Sequence, residues 1–291
     1  MLQRVVVSAP AKINLCLNLT GIAQNGYHLI DTIMQSVSLC DFVTIERTAK
    51  NKIEIACSNS TAPADESNIA YKAMAAFFEY TGIHAVGLKI YIEKNIPAQA
   101  GLGGGSADGA AVLRGLNELF STALDDKSLC RIGLKIGADL PFCIVGGCAR
   151  ATGIGEVMHR LPTLPNCKIV IAKPSFGVST IQAYKAYDDF IGEMSAVDTD
   201  GMQRALEQGS LEDVAARMQN VFEGVTAGET DAIKNQLYKH GAVGAVLSGS
   251  GSAVAGIFMP DADVSKCLES LSCFVCEVKP LMNGAIIYSL D

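Results

Sequence analysis

A glycine-rich segment in the first half of the chain has the composition of an anion-binding loop. It reads Pro97-Ala-Gln-Ala-Gly-Leu-Gly-Gly-Gly-Ser-Ala-Asp108 and lies between an alternating segment, Leu88–Glu93, and a run with helical periodicity. Consecutive glycines let backbone N–H groups approach an anion closely, and the N-terminus of a following helix adds free donors and a positive dipole end. The segment lacks the Lys and Ser/Thr of a P-loop and the spacing of a dinucleotide fingerprint. We therefore predict a polyphosphate site, against the alternative of a flexible loop or a tight helix entry.

A second glycine-rich segment, Ser248-Gly-Ser-Gly-Ser252, separates two apolar runs that are typical of strands. Considered alone, it is most simply a hairpin turn. Beside the first loop it becomes a candidate second wall of the same anion site, because turn backbones also present N–H groups to anions.

Two further segments offer isolated polar side chains. In Ser8-Ala-Pro-Ala-Lys-Ile-Asn14, Lys12 and Asn14 share the polar face of an otherwise apolar strand, as a solvated strand face also would. In Gly137-Ala-Asp-Leu-Pro-Phe142, Asp139 lies in an apolar turn that contains proline, where a carboxylate can simply cap the next turn. Neither segment supports a mechanism by itself.

The overall composition excludes several classes of protein. The chain has 291 residues, a net charge of −7 and 49% hydrophobic residues, which predicts about two domains with buried cores and excludes a disordered chain. An acidic chain with 6% aromatic residues is unsuited to non-specific nucleic-acid binding, and no uninterrupted run of about 20 apolar residues predicts a membrane span. We interpret the ten cysteines as reduced, buried thiols, with metal or redox chemistry at Cys273 and Cys276 as the minor alternative.

Hydrophobic periodicity predicts the elements that carry these segments. Period-two runs predict strands over the first ~45 residues, with Asn25-Gly26 as a turn signal, and further strands over 88–93, 168–172, 242–247, 253–258 and 274–278. Helical periodicity predicts helices over 68–80, after Gly105, over 126–136, over 211–222 with Ser210 as its cap, and over 264–271. Prolines in 161–166 predict an N-terminal domain of residues 1–162 and a C-terminal domain of 163–291, whose last strand can return to the first domain. Short mixed units without a long βαβ array predict two α+β domains.

Together, Pro10-Ala-Lys-Ile-Asn14 and the two glycine-rich segments resemble, in order and spacing, the three motifs of the GHMP small-molecule kinases. The runs Asn25-Gly-Tyr-His28 and Gln35-Ser-Val-Ser-Leu-Cys-Asp41 are similar to a branch of that family that phosphorylates an alcohol linked to cytidine diphosphate. The resemblance covers residues 8–260, loosely over 185–240, and departs from the usual pattern at Ala107 and Leu247. It implies an N-terminal domain like the second domain of ribosomal protein S5, a ferredoxin-like C-terminal domain and an active site in the cleft between them.

The resemblance implies ATP-dependent phosphoryl transfer, in which the protein supplies positioning and charge rather than covalent chemistry. Asp139 is the expected general base, and Lys12 is the expected cation beside it and the transferring phosphoryl group. The residues expected to bind ATP are Asn68, Lys94, Pro97, Ala98, Gln99, Ala100, Gly101, Leu102, Gly103, Gly104, Gly105, Ser106, Ala107, Asp108, Ser248, Gly249 and Ser250. The residues expected to bind the alcohol substrate are Asn14, Tyr27, His28, Asp139, Thr180 and Tyr184, with the aromatic rings stacking on cytosine. Mg²⁺ is expected to bridge the β- and γ-phosphates, held mainly by phosphate oxygens and water.

Two other functions stay open at this level. One is a GHMP kinase that acts on a different alcohol, and the Tyr27-His28 pair speaks against it. The other is a non-catalytic nucleotide- or RNA-binding module on the S5-like fold, which Lys12, Asp139 and the acidic charge oppose. As partners we expect the two small-molecule substrates, no nucleic acid and no membrane, in a cytoplasmic monomer or homodimer.

Overall fold

The structure, a computed structural model, describes residues 2–24, 26–50, 52–58, 65–84, 87–190, 196–225 and 228–291. Within these ranges the strands are β1 (Arg4–Ile22), β2 (His28–Arg47), β3 (Ile53–Cys57), β4 (Leu88–Glu93), β5 (Cys148–Gly153), β6 (Val157–Leu161), β7 (Lys168–Lys173), β8 (Gln219–Asn220), β9 (Gly244–Leu247), β10 (Val254–Phe258), β11 (Phe274–Val278) and β12 (Ile286–Leu290). The α-helices are α1 (Ile69–Thr81), α2 (Gly104–Leu119), α3 (Asp126–Leu134), α4 (Leu140–Val145), α5 (Thr180–Asp188), α6 (Thr199–Gln208), α7 (Leu211–Ala216), α8 (Glu229–Lys239) and α9 (Ser265–Ser270). Asn25 of the predicted turn lies outside the described residues.

Strands from both ends of the chain form the first sheet. It runs in the order β12-β1-β2-β4-β3, with β5 pairing with β2 and β6, and β8 pairing with β1. The period-two pattern buries alternate side chains, so that Val5, Val7 and Ile45 are fully buried while their neighbours are not. β12 pairs antiparallel with β1, which puts the last strand of the chain in this sheet. The domain boundary between residues 162 and 163 stays a prediction.

A four-stranded antiparallel sheet, in the order β11-β7-β10-β9, holds the second glycine-rich segment. Its central strands β7 and β10 are continuous apolar runs, and the side chains of Ile169 and Val254 are fully buried. β9 and β10 pair through Leu247 and Val254, so the Ser-Gly segment between them is the connection of a hairpin. The strands predicted around this segment are therefore confirmed.

Helix α2 joins the first glycine-rich segment to the core. Ten of its 16 residues are buried, and it packs against α1 and β1, so its N-terminal end has little freedom to move. A Cβ on Gly115 would lie 2.8 Å from Ile45 Cδ1 and 3.0 Å from Val7 Cγ2, which shows how closely this helix approaches the first sheet. α2 begins at Gly104, so two glycines of the predicted loop belong to its first turn. Within the described part of the chain, no helix has both the length and the apolar composition needed to cross a bilayer.

The single helix predicted over 211–222 is wrong. Ser210 does cap a helix, its side chain accepting a hydrogen bond from the Asp213 N–H, but α7 ends at Ala216. The chain then forms the short strand β8 and a 3₁₀ turn over Val221–Gly224. The side chain of Asn220 explains the break, because it accepts from the Phe222 N–H and donates to the carbonyl oxygens of Leu247 and Gly249, 2.8 and 2.7 Å away.

Candidate active site

A cleft of about 630 Å³ opens between the first glycine-rich segment, the hairpin of the second sheet and the paired strands β1 and β2. Its volume is in the range of small-molecule sites, ~300–1,000 Å³. Its polar and loop residues are Lys12, Asn14, Thr32, Ser67, Asn68, Lys94, residues 97–106, Asp108, Asp139, Thr180, Gly249 and Ser250. Its apolar and aromatic residues are Leu17, Ile30, Met34, Ile69, Ile96, Ala138, Ile154, Val178, Tyr184 and Phe222. The lining therefore comes from segments on both sides of the predicted boundary.

The glycine-rich loop can adopt its shape only with glycine at two points. Gly101 and Gly103 have φ angles of 72° and 71°, in the left-handed region that side-chain-bearing residues rarely adopt. A Cβ on Gly101 would lie 1.9 Å from the carbonyl oxygen of Ser248, and a Cβ on Gly103 would lie 3.0 Å from Lys12 Cγ. Gly103 is also the N-cap of α2 and makes no side-chain cap, which leaves the first N–H groups of the helix available to an anion.

The hairpin is built directly against this loop. The Ser248 hydroxyl donates to the Gly101 carbonyl oxygen at 2.9 Å, and the Ala253 N–H donates to the Ala100 carbonyl oxygen at 3.0 Å. The two glycine-rich segments, 147 residues apart in sequence, therefore form adjacent walls of one cleft. The hairpin interpretation is confirmed, and Gly249 and Ser250 line the same cleft as the loop, while anion binding there stays a prediction.

Lys12 and Asn14 are buried rather than solvated. They are only 4% and 2% exposed, and the Lys12 ammonium donates to Asn14 Oδ1 at 2.6 Å. Asn14 Nδ2 in turn donates to the Thr32 hydroxyl at 2.8 Å, and that hydroxyl donates to the Cys16 carbonyl oxygen at 2.7 Å. This chain of hydrogen bonds fixes the direction of the Lys12 ammonium into the cleft.

Asp139 faces Lys12 across the cleft. Its Oδ2 lies 3.9 Å from the Lys12 ammonium, and its side chain is 38% exposed. Asp139 occupies the N-cap position of α4, yet its carboxylate makes no capping hydrogen bond. The capping interpretation is therefore wrong, and the carboxylate is available to accept a proton from a bound alcohol.

A buried cluster of three charged side chains lies beneath the loop. Lys94 Nζ donates to Oδ2 of Asp41 and, at 2.5 Å, to Oδ2 of Asp108. Asp41 is fully buried, and its Oδ1 also accepts from the N–H groups of Asn95 and Ile96 at 2.5 and 2.8 Å. Lys94 and Asp108 were expected at the cleft from sequence, whereas Asp41 was not. The sequence motif that contains Asp41 gave no sign that this residue of β2 would lie against Lys94, which follows the end of β4.

Because two buried carboxyl groups share one ammonium, the pKa values of Asp108 and Lys94 are shifted. Burial raises the pKa of the Asp108 carboxyl to about 8, with Asp41 adding to the rise and Lys94 opposing it. Burial on its own lowers the pKa of Lys94, but the charges of Asp108 and Asp41 reverse this and raise it. Lys94 therefore stays a cation, and Asp108 is the carboxyl that holds a proton most readily.

The opposite end of the cleft is aromatic. Tyr184 packs edge-on against Phe222 with ring centroids 5.0 Å apart, and burial, followed by the charge of Asp139, raises the pKa of its phenol to about 12. Thr180 lies one helical turn earlier, 3.3 Å from the Ser250 hydroxyl. His28 contacts the far side of Tyr184, with ring centroids 4.9 Å apart, and its Nε2 lies 2.8 Å from Asp188 Oδ1.

Four residues expected at the site are not among those lining the cleft. Ala107 is buried below the loop, and Ser248 acts on the loop from behind through Gly101. Tyr27 is 65% exposed, and His28 lies behind Tyr184. Phe222 was missed, because the sequence placed it on the core face of a helix that the structure does not contain.

The donor groups of the cleft do not themselves assemble a magnesium site. Mg²⁺ favours several oxygen ligands, and the described ranges contain no cluster of three His, Cys, Asp or Glu side chains that could hold a metal ion. Of the two carboxylates in the lining, that of Asp108 is bound to Lys94 and that of Asp139 lies 3.9 Å from the Lys12 ammonium. How Mg²⁺ is held stays a prediction.

The Cys273–Cys276 pair shows no feature of reactive chemistry. Burial raises the pKa of the Cys273 thiol and raises that of Cys276 to about 11. Thiols with raised pKa values are weak nucleophiles and weak metal ligands at neutral pH. Both thiols are free but only half-buried, so the expectation of buried thiols is wrong for these two residues, and their reduced state stays a prediction.

Comparison with known proteins identifies the family of this chain. The model of the GHMP kinases N terminal domain matches residues 68–147, and that of the GHMP kinases C terminal domain matches residues 202–277. The 4-diphosphocytidyl-2-C-methyl-D-erythritol kinase of Caldicellulosiruptor saccharolyticus is 42% identical over 281 residues, which cover 94% of this chain and 95% of the relative. The chain belongs to the 4-diphosphocytidyl-2-C-methyl-D-erythritol kinase branch of the GHMP kinases. The relative of the same name from Bacillus subtilis is 37% identical over 95% of this GHMP kinase and 96% of its own length.

Solved structures give the same fold. A crystal structure of 4-(cytidine 5'-diphospho)-2C-methyl-D-erythritol kinase matches this GHMP kinase with a TM-score of 0.77 and 30% identity, covering 94% of this chain and 98% of the other. A homoserine kinase from Cytophaga hutchinsonii has a TM-score of 0.79 at 20% identity, over 99% and 98% of the two chains, which shows the shared fold alone. The predicted α+β architecture with two GHMP kinase domains is confirmed. The chain is a kinase that uses ATP as co-substrate, as its family implies.

Proposed function

We propose that this kinase transfers the γ-phosphoryl group of ATP to the 2-hydroxyl of 4-diphosphocytidyl-2-C-methyl-D-erythritol, in the non-mevalonate route to isoprenoid precursors. The observation that carries the proposal is the position of the Lys12–Asp139 pair, 3.9 Å apart, between a glycine-built loop and an aromatic end of one cleft. The names of relatives that match nearly the whole chain support the choice of substrate.

ATP binds with its phosphates against the loop. The backbone N–H groups of residues 101–106 and the exposed first turn of α2 donate to phosphate oxygens. Gly249 and Ser250 line the adjacent wall, so the phosphate chain lies against two neighbouring backbone surfaces. Asn68 and Lys94 lie beside the nucleoside end of the loop, where they support the adenosine.

Asp139 accepts the proton of the substrate hydroxyl as that oxygen attacks the γ-phosphorus. A base placed within hydrogen-bond reach contributes about 10²–10⁴-fold to such a step. Lys12 lies beside Asp139, where its fixed ammonium stabilises the negative charge that develops on the transferring phosphoryl group. Because Asn14 and Thr32 hold Lys12 in place before substrate binds, little reorganisation is needed during the reaction.

We infer that Mg²⁺ arrives as part of the nucleotide, held by phosphate oxygens and water. Its chemistry would be to offset the charge between the β- and γ-phosphates. The roles given to Lys12 and Asp139 do not depend on a metal ligand from the protein.

The cytidine diphosphate part of the second substrate occupies the aromatic end. Tyr184 offers a ring surface to a flat base, with the buried ring of Phe222 packed against it, and a base stacked on an aromatic side chain gains about 1–3 kcal/mol. Asn14 and Thr180 line the path from this end to Asp139. Tyr27 and His28 lie just outside the cleft, from where they can close over a bound base once it displaces the contact between His28 and Tyr184.

An ATP-consumption assay with a panel of alcohols tests the function. The cytidylated methylerythritol should support turnover, whereas galactose, homoserine and mevalonate should not. Turnover with one of these three and none with the cytidylated substrate would show that the kinase acts on a different alcohol. Nucleotide binding without turnover on any of the four would favour a non-catalytic module.

The remaining proposals concern the cellular location, the partners and the oligomeric state of the enzyme. We propose that the enzyme acts in the cytoplasm on small-molecule substrates, without nucleic acid or membrane, as a monomer or homodimer. Light scattering at assay concentrations measures the assembly state directly.

A further inference from the structure

The cluster beneath the glycine-rich loop has an unequal distribution of hydrogen bonds between its two carboxyl groups. Asp41 receives three donors: Lys94 Nζ and the N–H groups of Asn95 and Ile96. Two backbone N–H groups and an ammonium thus satisfy the oxygens of the Asp41 carboxyl group.

Asp108 is in a different situation. Its Oδ2 shares the Lys94 ammonium with Asp41, at 2.5 Å, while its Oδ1 is buried and has no hydrogen-bond partner among the described residues. Its side chain is 7% exposed. A buried carboxylate oxygen without a donor is costly, whereas a carboxylic acid carries no charge to be solvated. Burial accordingly raises the pKa of Asp108 to about 8, so the group changes charge close to physiological pH.

The position of this group links its charge to the ligand of the cleft. Asp108 is in the second turn of α2 and lines the cleft, two residues after the end of the phosphate loop at Ser106. Lys94 Nζ lies 3.6 Å from the point where a Cβ of Gly104 would be. With both carboxyls ionised, the cluster would place a net negative charge under a loop that receives a polyphosphate. Like charges repel more strongly in a buried site than in water.

We propose that Asp108 is a positioning residue that carries a proton when nucleotide is bound, so that binding of a nucleotide polyphosphate to the loop takes up one proton from solvent at this carboxyl. The proton neutralises the cluster, with Lys94 and Asp41 left as a balanced pair. The inference rests on the proposed function only in taking a nucleotide as the ligand of the loop.

The surrounding groups do not compete for this role. Lys94 faces Asp108 from the end of β4, Asp41 from β2, and the Cys57 thiol from β3, with the neutral Asn68 side chain beside Cys57. Burial raises the pKa of the Cys57 thiol, which stays neutral near pH 8. The charge of Lys94 persists because its pKa is raised, and Asp41 keeps its three donors.

Calorimetry of ADP binding at pH 8 tests the inference without turnover. Titrations in two buffers with different heats of ionisation give the number of protons taken up. The wild-type enzyme should take up a substantial fraction of one proton, and Asp108→Asn, which has the same shape without the titrating group, should take up none. Asp139→Asn is the matched control, because it removes the other carboxyl of the cleft and should leave the uptake unchanged. Equal uptake by wild type and Asp108→Asn would overturn the proposal.

The pH profile of affinity supplies a second readout. The affinity of the wild type for ADP should fall several-fold between pH 7 and pH 9, with a limit of about tenfold for each pH unit. The affinity of Asp108→Asn should stay nearly constant over the same pH range. A purely structural role of Asp108 would not produce this difference between variant and wild type. If Asp108→Asn does not fold, carboxyl-carbon NMR of the wild type replaces it. A carboxyl signal that titrates near pH 8 and shifts upward with ADP supports the proposal, and its absence overturns it.

These outcomes separate the inference from the proposed function. Phosphorylation of the cytidylated substrate without proton uptake on ADP binding would overturn the inference and leave the function. Proton uptake at Asp108 without turnover of that substrate would overturn the proposed function and leave the inference.

Discussion

The two ends of the cleft are constructed in different ways. At the phosphate end, the surface is backbone: glycines with positive φ angles, a helix N-terminus and a hairpin that touches the loop through main-chain atoms. At the aromatic end, the surface is a side chain, with Tyr184 packed against Phe222, from a segment 38 residues away, and against His28 at the start of β2. A backbone surface has no room for an added atom. A side-chain surface tolerates any replacement that keeps its shape, and this difference orders the effects expected of substitutions.

The largest effect is expected between the two ends, at Asp139. Replacing it with asparagine keeps the size of the side chain and removes the proton acceptor, so kcat should fall by about 10²–10⁴-fold while ATP affinity is retained. Single-turnover rates and nucleotide binding by fluorescence measure the two quantities. Asp261→Asn, an exposed position in the second half of the chain, is the control and should behave as wild type. An unchanged kcat in Asp139→Asn would show that Asp139 is not the general base.

The backbone end is tested by Gly101→Ala. Its Cβ would lie 1.9 Å from the Ser248 carbonyl oxygen at a φ of 72°, so the loop and hairpin must separate. Backbone strain of this kind costs about 1–3 kcal/mol, and with the displaced donors we expect a loss of about 100-fold in kcat/KM for ATP.

The matched control for Gly101→Ala is Gly82→Ala. Gly82 has a similar φ of 67° at the end of α1, but a Cβ there meets nothing within 4 Å. It should lose stability in thermal unfolding and keep its kinetic constants. If Gly101→Ala also kept its kinetic constants, the phosphates would have to bind elsewhere.

The aromatic end should respond more weakly. Tyr184→Leu removes the ring that stacks on the base, and KM for the cytidylated substrate should rise about tenfold, within the ~1–3 kcal/mol that stacking contributes. Tyr184→Phe keeps the ring and should stay near the wild-type value. KM for ATP should not change in either variant. If the substitutions raised only KM for ATP, the cytosine of the second substrate would not bind against Tyr184.

The sequence predicts the backbone end well because its signals are local. Four glycines in five positions, 101 and 103–105, followed by a helical run, specify a loop and a helix entry from neighbouring residues alone. The same holds for the helix α1 and the strand β4 on either side of this region, both found where periodicity predicts them. Contact between the loop and the hairpin also follows, once both are taken as parts of one anion site.

The parts that sequence could not predict depend on contacts between distant residues. The apolar spacing of residues 211–222 is helical, but Asn220 hydrogen-bonds to the hairpin, and those bonds end the helix and turn Phe222 into the cleft. Asp41 is likewise an ordinary acidic residue in sequence, and it becomes the buried partner of Lys94 only when β2 and β4 pair.

The smallest effect should come from Asp188, which touches the aromatic end only through His28. Their contact is 2.8 Å long, yet the Asp188 side chain is 50% exposed, and pairs of this kind contribute at most about 1 kcal/mol. Asp188→Asn keeps a hydrogen-bonding group opposite His28, so KM for the cytidylated substrate should change by less than about threefold. Steady-state kinetics of the wild type and the variant measure this change. A change in KM as large as that of Tyr184→Leu would show that the aromatic end depends on a fixed His28 as strictly as the phosphate end depends on Gly101.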